Sequence, residues 1–186
     1  MSNVVFADLR LVGGTSLALQ IGHRKSIDID LFGTIDFESL DLPEVFTGFK
    51  EVSSIKRSKN INIFNIDGVK VDFVNYSYPW LSKIKNHDDI RLAGIDDITA
   101  MKLAAITRRG SKKDFVDLYF LLQRFSFKNI LEMYNTKYFD GSEYLVLKSL
   151  TYFDDADQDA EINMSIDVSW NDVKVYIMKT VKEYCE

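Results

Sequence analysis

Along this 186-residue chain the spacing of apolar positions changes character near residue 95. Before that point it is mostly strand-like. Residues 9–12 form a short apolar run stopped by Gly13-Gly14, which predicts a strand entering a tight turn. Thr15 or Ser16 is placed to cap a short helix through Gln20, with Gly22 at its end. Residues 27–32 alternate as Ile-Asp-Ile-Asp-Leu-Phe, a strand period. A short helix is expected around Pro43, within residues 37–49. Two alternating runs, 61–66 and 69–74, flank Asp67-Gly68, which predicts a two-residue hairpin with a turn of the primed type. Closing it there pairs Ile66 with Val69, Phe64 with Val71 and Ile63 with Asp72. Val69, Val71 and Phe73 then share one face, and Lys70, Asp72 and Val74 the other.

After residue 95 the period is helical. Asp96 is placed to cap a helix running to Arg109, with Gly110 at its C-terminal end. Ser111 starts the next helix, with Asp114 in its first turn. Residues 127–139, 142–153 and 170–184 carry further helix-compatible apolar spacing. The expected fold class is therefore mixed α/β (α+β): strands and helices over residues 1–95, then a mainly helical part over 96–186 that completes the cleft. No internal repeat or low-complexity tract is present.

Composition agrees with a folded protein. Apolar residues make up 46% of the chain, and thirteen Phe and nine Tyr supply core volume without help from disulfides. The lone cysteine, Cys185, suits a reducing compartment. No run approaches the length of a membrane-spanning segment, and residues 1–10 lack the apolar stretch of a signal peptide, so a cytoplasmic location is expected and a membrane partner is not. The net charge of −5 is lower than nucleic-acid binders usually carry. It is unevenly spread: Arg108, Arg109, Lys112 and Lys113 form a basic cluster, and residues 154–161 an acidic one. The acidic run departs from a calcium loop, with Ala160 where glycine is required and Ile166 where the final glutamate belongs.

The candidate chemistry lies in the carboxylates. Asp28 and Asp30, two apart on a strand, project from one face. Such a pair either lies on the wet face of an edge strand or is held together by a cation. Hard divalent ions prefer carboxylate oxygen. Asp72, on the hairpin's second strand, is positioned to bring a third carboxylate, and three on adjacent strands suit the two-metal clamp of nucleotidyl transfer. Just ahead of them, Gly13, Gly14, Thr15 and Ser16 make a strand–turn–helix start whose N–H groups can cradle phosphate. Lys102 sits in a mostly apolar helix and must snorkel or meet an anion. Asp117 has a ready partner in Lys113 four residues earlier. The two histidines, His23 and His87, offer neither zinc spacing nor a triad.

The stretch LVGGTSLALQIGHRKSIDIDLF, residues 11–32, resembles the AbiEii-type nucleotidyltransferase toxins of the DNA polymerase β-like superfamily. It has the Gly-Gly-Thr turn (Gly13, Gly14, Thr15), the His-Arg-x-Ser step (His23, Arg24, Ser26) and the Asp-x-Asp of Asp28 and Asp30 before Leu-Phe. Residues 97–122, DITAMKLAAITRRGSKKDFVDLYFLL, are similar to the family's lysine-bearing helix and its Lys-Asp-x-x-Asp-Leu-Tyr segment. The resemblance covers about two-thirds of the chain. It implies transfer of a nucleotide from an NTP to an acceptor hydroxyl, with Mg²⁺ or Mn²⁺ held by Asp28, Asp30 and Asp72. It further implies Lys102 on the triphosphate, Asp117 positioning Lys102 or the metal shell, and Arg24 and Ser26 on phosphate or bracing the acidic cluster. It implies a toxin of a type IV toxin–antitoxin or abortive-infection system, with a tRNA-like acceptor bound by the Arg108–Lys113 cluster and an antitoxin as partner. Two other readings remain open: a non-catalytic binding module on the same fold, and an enzyme that modifies a small molecule such as an antibiotic.

Overall fold

The computed structural model describes residues 4–38 and 40–186. After a 3-10 turn at Val4–Phe6, strand β1 (Arg10–Val12) runs directly into helix α1 (Gly13–Ile21). Strand β2 (Ile29–Gly33), the short helix α2 (Leu42–Val45) and strands β3 (Val52–Lys56), β4 (Ile61–Ile66), β5 (Val69–Asn75), β6 (Lys85–His87) and β7 (Ile90–Leu92) follow. Helices α3 (Ile95–Arg108), α4 (Lys112–Leu122), α5 (Phe127–Lys137), α6 (Glu143–Ser149), α7 (Asp154–Asp157) and α8 (Trp170–Cys185) complete the chain.

The strands form one mixed seven-stranded sheet in the order β3-β4-β5-β2-β1-β7-β6. This is the expected α+β class. The β4–β5 hairpin closes in the expected register, Ile66 opposite Val69, Phe64 opposite Val71 and Ile63 opposite Asp72. Its turn uses left-handed backbone at Asp67 (φ 49°) and Gly68 (φ 84°), as a primed turn requires. Beside it, β2 and β5 pair in parallel with Asp30 opposite Asp72.

The sheet buries apolar side chains on both faces. On one, Leu11, Leu31, Phe64, Val71 and Phe73 pack with Phe37 and Phe46 of the β2–β3 connection. On the other, Val12 packs with Leu17 of α1 and with Ile98, Leu103, Phe115, Leu118 and Ile130 of the later helices. Strand alternation makes this division. In β2, Ile29 and Leu31 go to the first face, and Phe32 to the helical face.

Several local expectations shift. Helix α1 begins at Gly13, with Val12 at its N-cap, instead of after a cap at Thr15 or Ser16. The corner is made in one residue, because Gly13 adopts φ 68°. Helix α2 is a single turn, capped by the Asp41 side chain. The helix expected over 142–153 stops at Ser149. Strand β3 and the β6–β7 hairpin had no sequence signal: all five residues of β3 are exposed, and β6 is short, polar and exposed. No helix is long and apolar enough to cross a membrane among the described residues.

Candidate active site

Two glycines open the site. The β1–α1 corner brings the start of α1 against Asp30 of β2, and no side chain caps its first N–H groups. A Cβ on Gly13 would collide with Asp30 Oδ2, and one on Gly14 with the Arg24 Nη2. Glycine is thus needed at both positions for close approach, and Gly13 needs it for its backbone as well.

Asp30 and Asp72 face each other on paired strands. Burial first, and then the neighbouring Asp72 charge, push the Asp30 carboxyl above its ordinary range. Lys70, two residues before Asp72 on the same face, places Nζ 2.7 Å from both Asp72 oxygens. It donates in good geometry only to Oδ2, which leaves the buried Oδ1 without a hydrogen-bond donor. Two neighbouring carboxylates, one of them buried and held above its ordinary range and the other with an oxygen that accepts no hydrogen bond, are a donor set that fits a hard divalent cation.

Asp28 behaves differently from the expectation that three carboxylates meet at one point. Among the described residues, no three His, Cys, Asp or Glu side chains stand close enough to hold a metal ion. Asp28 lies one residue ahead of β2, its side chain is 43% exposed, and its Oδ2 sits 3.6 Å from Lys113 Nζ. Outside the ladder its carboxylate is free to follow that lysine. Lys113 therefore does not pair with Asp117, contrary to the expectation from helical spacing.

Asp117 instead collects three cationic or donor groups from two other segments. His23 Nε2 donates to it at 2.7 Å, Arg24 Nε and Nη2 at 2.6 and 2.9 Å, and Lys102 Nζ lies 2.5 Å away. Asp114, one turn earlier on the same helix face, takes Lys102 at 3.0 Å, Arg109 at 2.8 and 3.1 Å, and the Ser111 hydroxyl at 2.6 Å. Burial opposes ionisation of both carboxyls, but Lys102 with Arg109, and Lys102 with Arg24 and His23, outweigh it and hold both well below the usual range. Burial likewise works against the Lys102 ammonium, yet Asp117 and Asp114 keep it charged. Lys102 does not snorkel: it is 4% exposed and bridges two buried carboxylates.

The remaining candidates are distributed as follows. Thr15 Oγ1 hydrogen-bonds Ser26 Oγ at 2.8 Å and the Asp28 carbonyl, tying the head of α1 to the loop before β2. The Ser16 hydroxyl is fully buried and bonded to Gln20, so only its backbone can serve a ligand. Arg24 braces Asp117. The basic cluster read from sequence disperses: Arg109 pairs with Asp114, Lys112 is buried on the Asp159 carbonyl, and Lys113 pairs with Asp28. Arg108, the fourth member, is exposed on the last turn of α3.

Gly13, Asp30, Lys102, Arg108 and Arg109 line one cleft of about 230 Å³, together with Phe32, Tyr76, Tyr78 and Tyr138. Sequence reading missed the tyrosines and Asp114. The Tyr-Ser-Tyr-Pro-Trp run at 76–80, directly after the Asp72 strand, was the available signal, as was the three-residue spacing of Asp114 and Asp117.

Residues 3–179 match the family described as Nucleotidyl transferase AbiEii toxin, Type IV TA system. The uncharacterized protein aq_aa25 of Aquifex aeolicus (strain VF5) is 37% identical over 185 residues, spanning 96% of this chain and 89% of that protein. In fold, the chain is similar to JHP933 from Helicobacter pylori (TM-score 0.60, 15% identity, 95% of this chain and 83% of that one). It is similar also to MenT4, a nucleotidyltransferase toxin from Mycobacterium tuberculosis (TM-score 0.64, 16% identity, 94% and 74%). With Gly13, Asp30 and Lys102 lining one cleft and the family match running over nearly its whole length, the chain belongs to the AbiEii family of nucleotidyltransferase toxins of type IV toxin–antitoxin systems.

Proposed function

We propose that this protein moves a nucleotide from an NTP to a hydroxyl of a tRNA-like acceptor, with Asp30 and Asp72 holding Mg²⁺ or Mn²⁺ and Asp28 joining them only on leaving Lys113. The observation that carries the reading is the Asp30–Asp72 pair, side by side on paired strands, with Asp30 lining a cleft that also presents Lys102 and the uncapped start of α1 at Gly13. Bound there, the cation would supply positive charge to the triphosphate and the departing pyrophosphate.

The chain's own groups do the rest. The N–H groups of Gly13, Gly14, Thr15 and Ser16 receive phosphate oxygens at the positive end of α1. Lys102 and Arg109 add charge to the same cleft. Both are fixed by Asp114, so they hold their geometry without reorganising during the reaction. Asp117, Arg24 and Ser26 are positioning residues: Asp117 sets Lys102, Arg24 sets Asp117, and Ser26 anchors Thr15. The acceptor oxygen attacks the α-phosphorus, the bond from that phosphorus to the bridging oxygen breaks, pyrophosphate leaves with the electron pair, and Asp72 takes the acceptor's proton. The family implies an antitoxin that restrains this activity in the cytoplasm.

The test is incubation with each labelled NTP, Mg²⁺ or Mn²⁺, and RNA, protein or small-molecule acceptors, for wild type and Asp30→Asn. Label should enter RNA and fall by at least about a hundredfold in Asp30→Asn. Its melting temperature should match or exceed wild type, because the ionised Asp30 carboxylate is unfavourable where it stands. Equal labelling by both proteins would overturn the assignment.

A further inference from the structure

The phosphate chemistry uses one side of the cleft. Besides Gly13, Asp30 and Lys102, it is lined by Tyr76, Tyr78 and Tyr138 with Met101 and Ala105 of α3. These rings are fixed in place. Tyr78 meets Tyr138 edge-on at 4.7 Å and Tyr76 at 5.6 Å. The hydroxyls of Tyr76 and Tyr138 hydrogen-bond at 2.9 Å, and Tyr78 donates to Asp140 at 3.0 Å. Behind them, the fully buried Lys137 donates to Asp97 and to the Pro79 carbonyl, both at 2.7 Å, and lies 5.0 Å from the Tyr76 ring and 4.7 Å from the Trp80 ring. Asp97 in turn accepts from the backbone N–H of Leu81 and Ser82. A buried ion pair thus pins the 76–82 segment to α3 and α5, so the aromatic wall is formed before any ligand arrives.

We propose that this wall is the nucleobase subsite. The triphosphate lies toward Gly13, Asp30 and Lys102, and the base stacks on the Tyr78–Tyr138 side. The inference rests on the nucleotidyl-transfer reading and adds to it the residues that recognise the base half of the NTP. The rings line the same cleft as Gly13, Asp30 and Lys102, so one NTP can meet both. Every base has a stacking face, so the wall raises affinity for all four NTPs over a bare polyphosphate. A ring already held in place loses little freedom on binding.

The experiment measures Mg²⁺-dependent binding of a non-hydrolysable NTP and of inorganic tripolyphosphate by calorimetry, for wild type, Tyr78→Phe, Tyr78→Ala and Tyr78→Leu. Wild type should bind the NTP at least about tenfold more tightly than tripolyphosphate, the scale of one base–aromatic stack. Tyr78→Phe should keep that preference. Tyr78→Ala and Tyr78→Leu should lose most of it while binding tripolyphosphate as wild type does; the leucine variant keeps the apolar bulk and guards against simple collapse. An unchanged NTP preference in both, or an equal loss for both ligands, overturns the subsite. If wild type binds the NTP but not tripolyphosphate, the phosphate end of the cleft is misassigned. If neither ligand binds wild type, the nucleotidyl-transfer reading fails, and this subsite with it.

Discussion

Lys102 illustrates how much a single side chain depends on its surroundings. Its helix is apolar enough that a snorkelling lysine would be replaceable by methionine at little cost. In the folded chain it is shared between Asp114 and Asp117, both fully buried. Lys102→Met leaves two carboxylates with one cation fewer in a region water does not reach. Breaking a buried pair in this way costs about 3–5 kcal/mol, and for a chain of this size the melting temperature should fall on the order of 10 °C. Thermal and urea unfolding of the purified variant measure this. A methionine variant within about 1 kcal/mol of wild type would show that Arg24, Arg109 and His23 suffice to hold both carboxylates. Arginine is not an equal substitute, because its planar fork does not fit the room of a compact ammonium.

At the scale of elements, the β1–α1 corner brings sheet chemistry and helix chemistry together. Gly14 lets Arg24 pass over the start of α1 to reach Asp117. That guanidinium is pinned by two hydrogen bonds to a buried carboxylate, so it cannot swing away to make room for a methyl group. Gly14→Ala should therefore cost about 1–3 kcal/mol. Gly22, at the other end of α1, has φ 68° but open space where a Cβ would stand, so Gly22→Ala should cost only the backbone strain, about 1 kcal/mol. Urea midpoints of the two variants compare them directly. A Gly14 variant no worse than the Gly22 variant would mean that Arg24 has another stable position.

For the whole molecule, the Asp114–Asp117 network is a joint between α3, α4 and the loop ahead of β2, and its charge state is coupled to global stability. Both carboxyls are depressed in the folded chain, because burial is outweighed by Lys102 and its companions. A depressed carboxyl contributes stability that is fully present above its unfolded value, near 4, and is lost as pH falls from there toward the folded value. The protein should thus lose stability steeply as pH drops below about 4. Asp117→Asn should be destabilised at pH 7 yet show a shallower acid limb, since one of the two linked protons is gone. Urea midpoints from pH 7 to pH 3 measure both slopes; parallel acid limbs would place the linkage elsewhere.

Strand alternation and turn chemistry were legible in the sequence because they are local. The alternation around Asp30 and the Asp67-Gly68 turn set which faces Asp30 and Asp72 take, and the glycine pair marked the corner at α1. The family motifs, each a short local stretch, named Gly13, Asp30 and Lys102 of the cleft for the same reason. What only the tertiary structure decided are contacts between distant segments. Asp28 turned to Lys113 because it lies beyond the end of the β2 ladder, and Asp117 took Lys102, Arg24 and His23 in place of its helical neighbour because it faces inward. Tyr76, Tyr78 and Tyr138 became one wall through Lys137 and Asp97, forty residues apart and buried together. Periodicity gives the face a side chain takes, whereas its partner depends on which other face is packed against it, and that is settled only when the sheet and the helices close on one another.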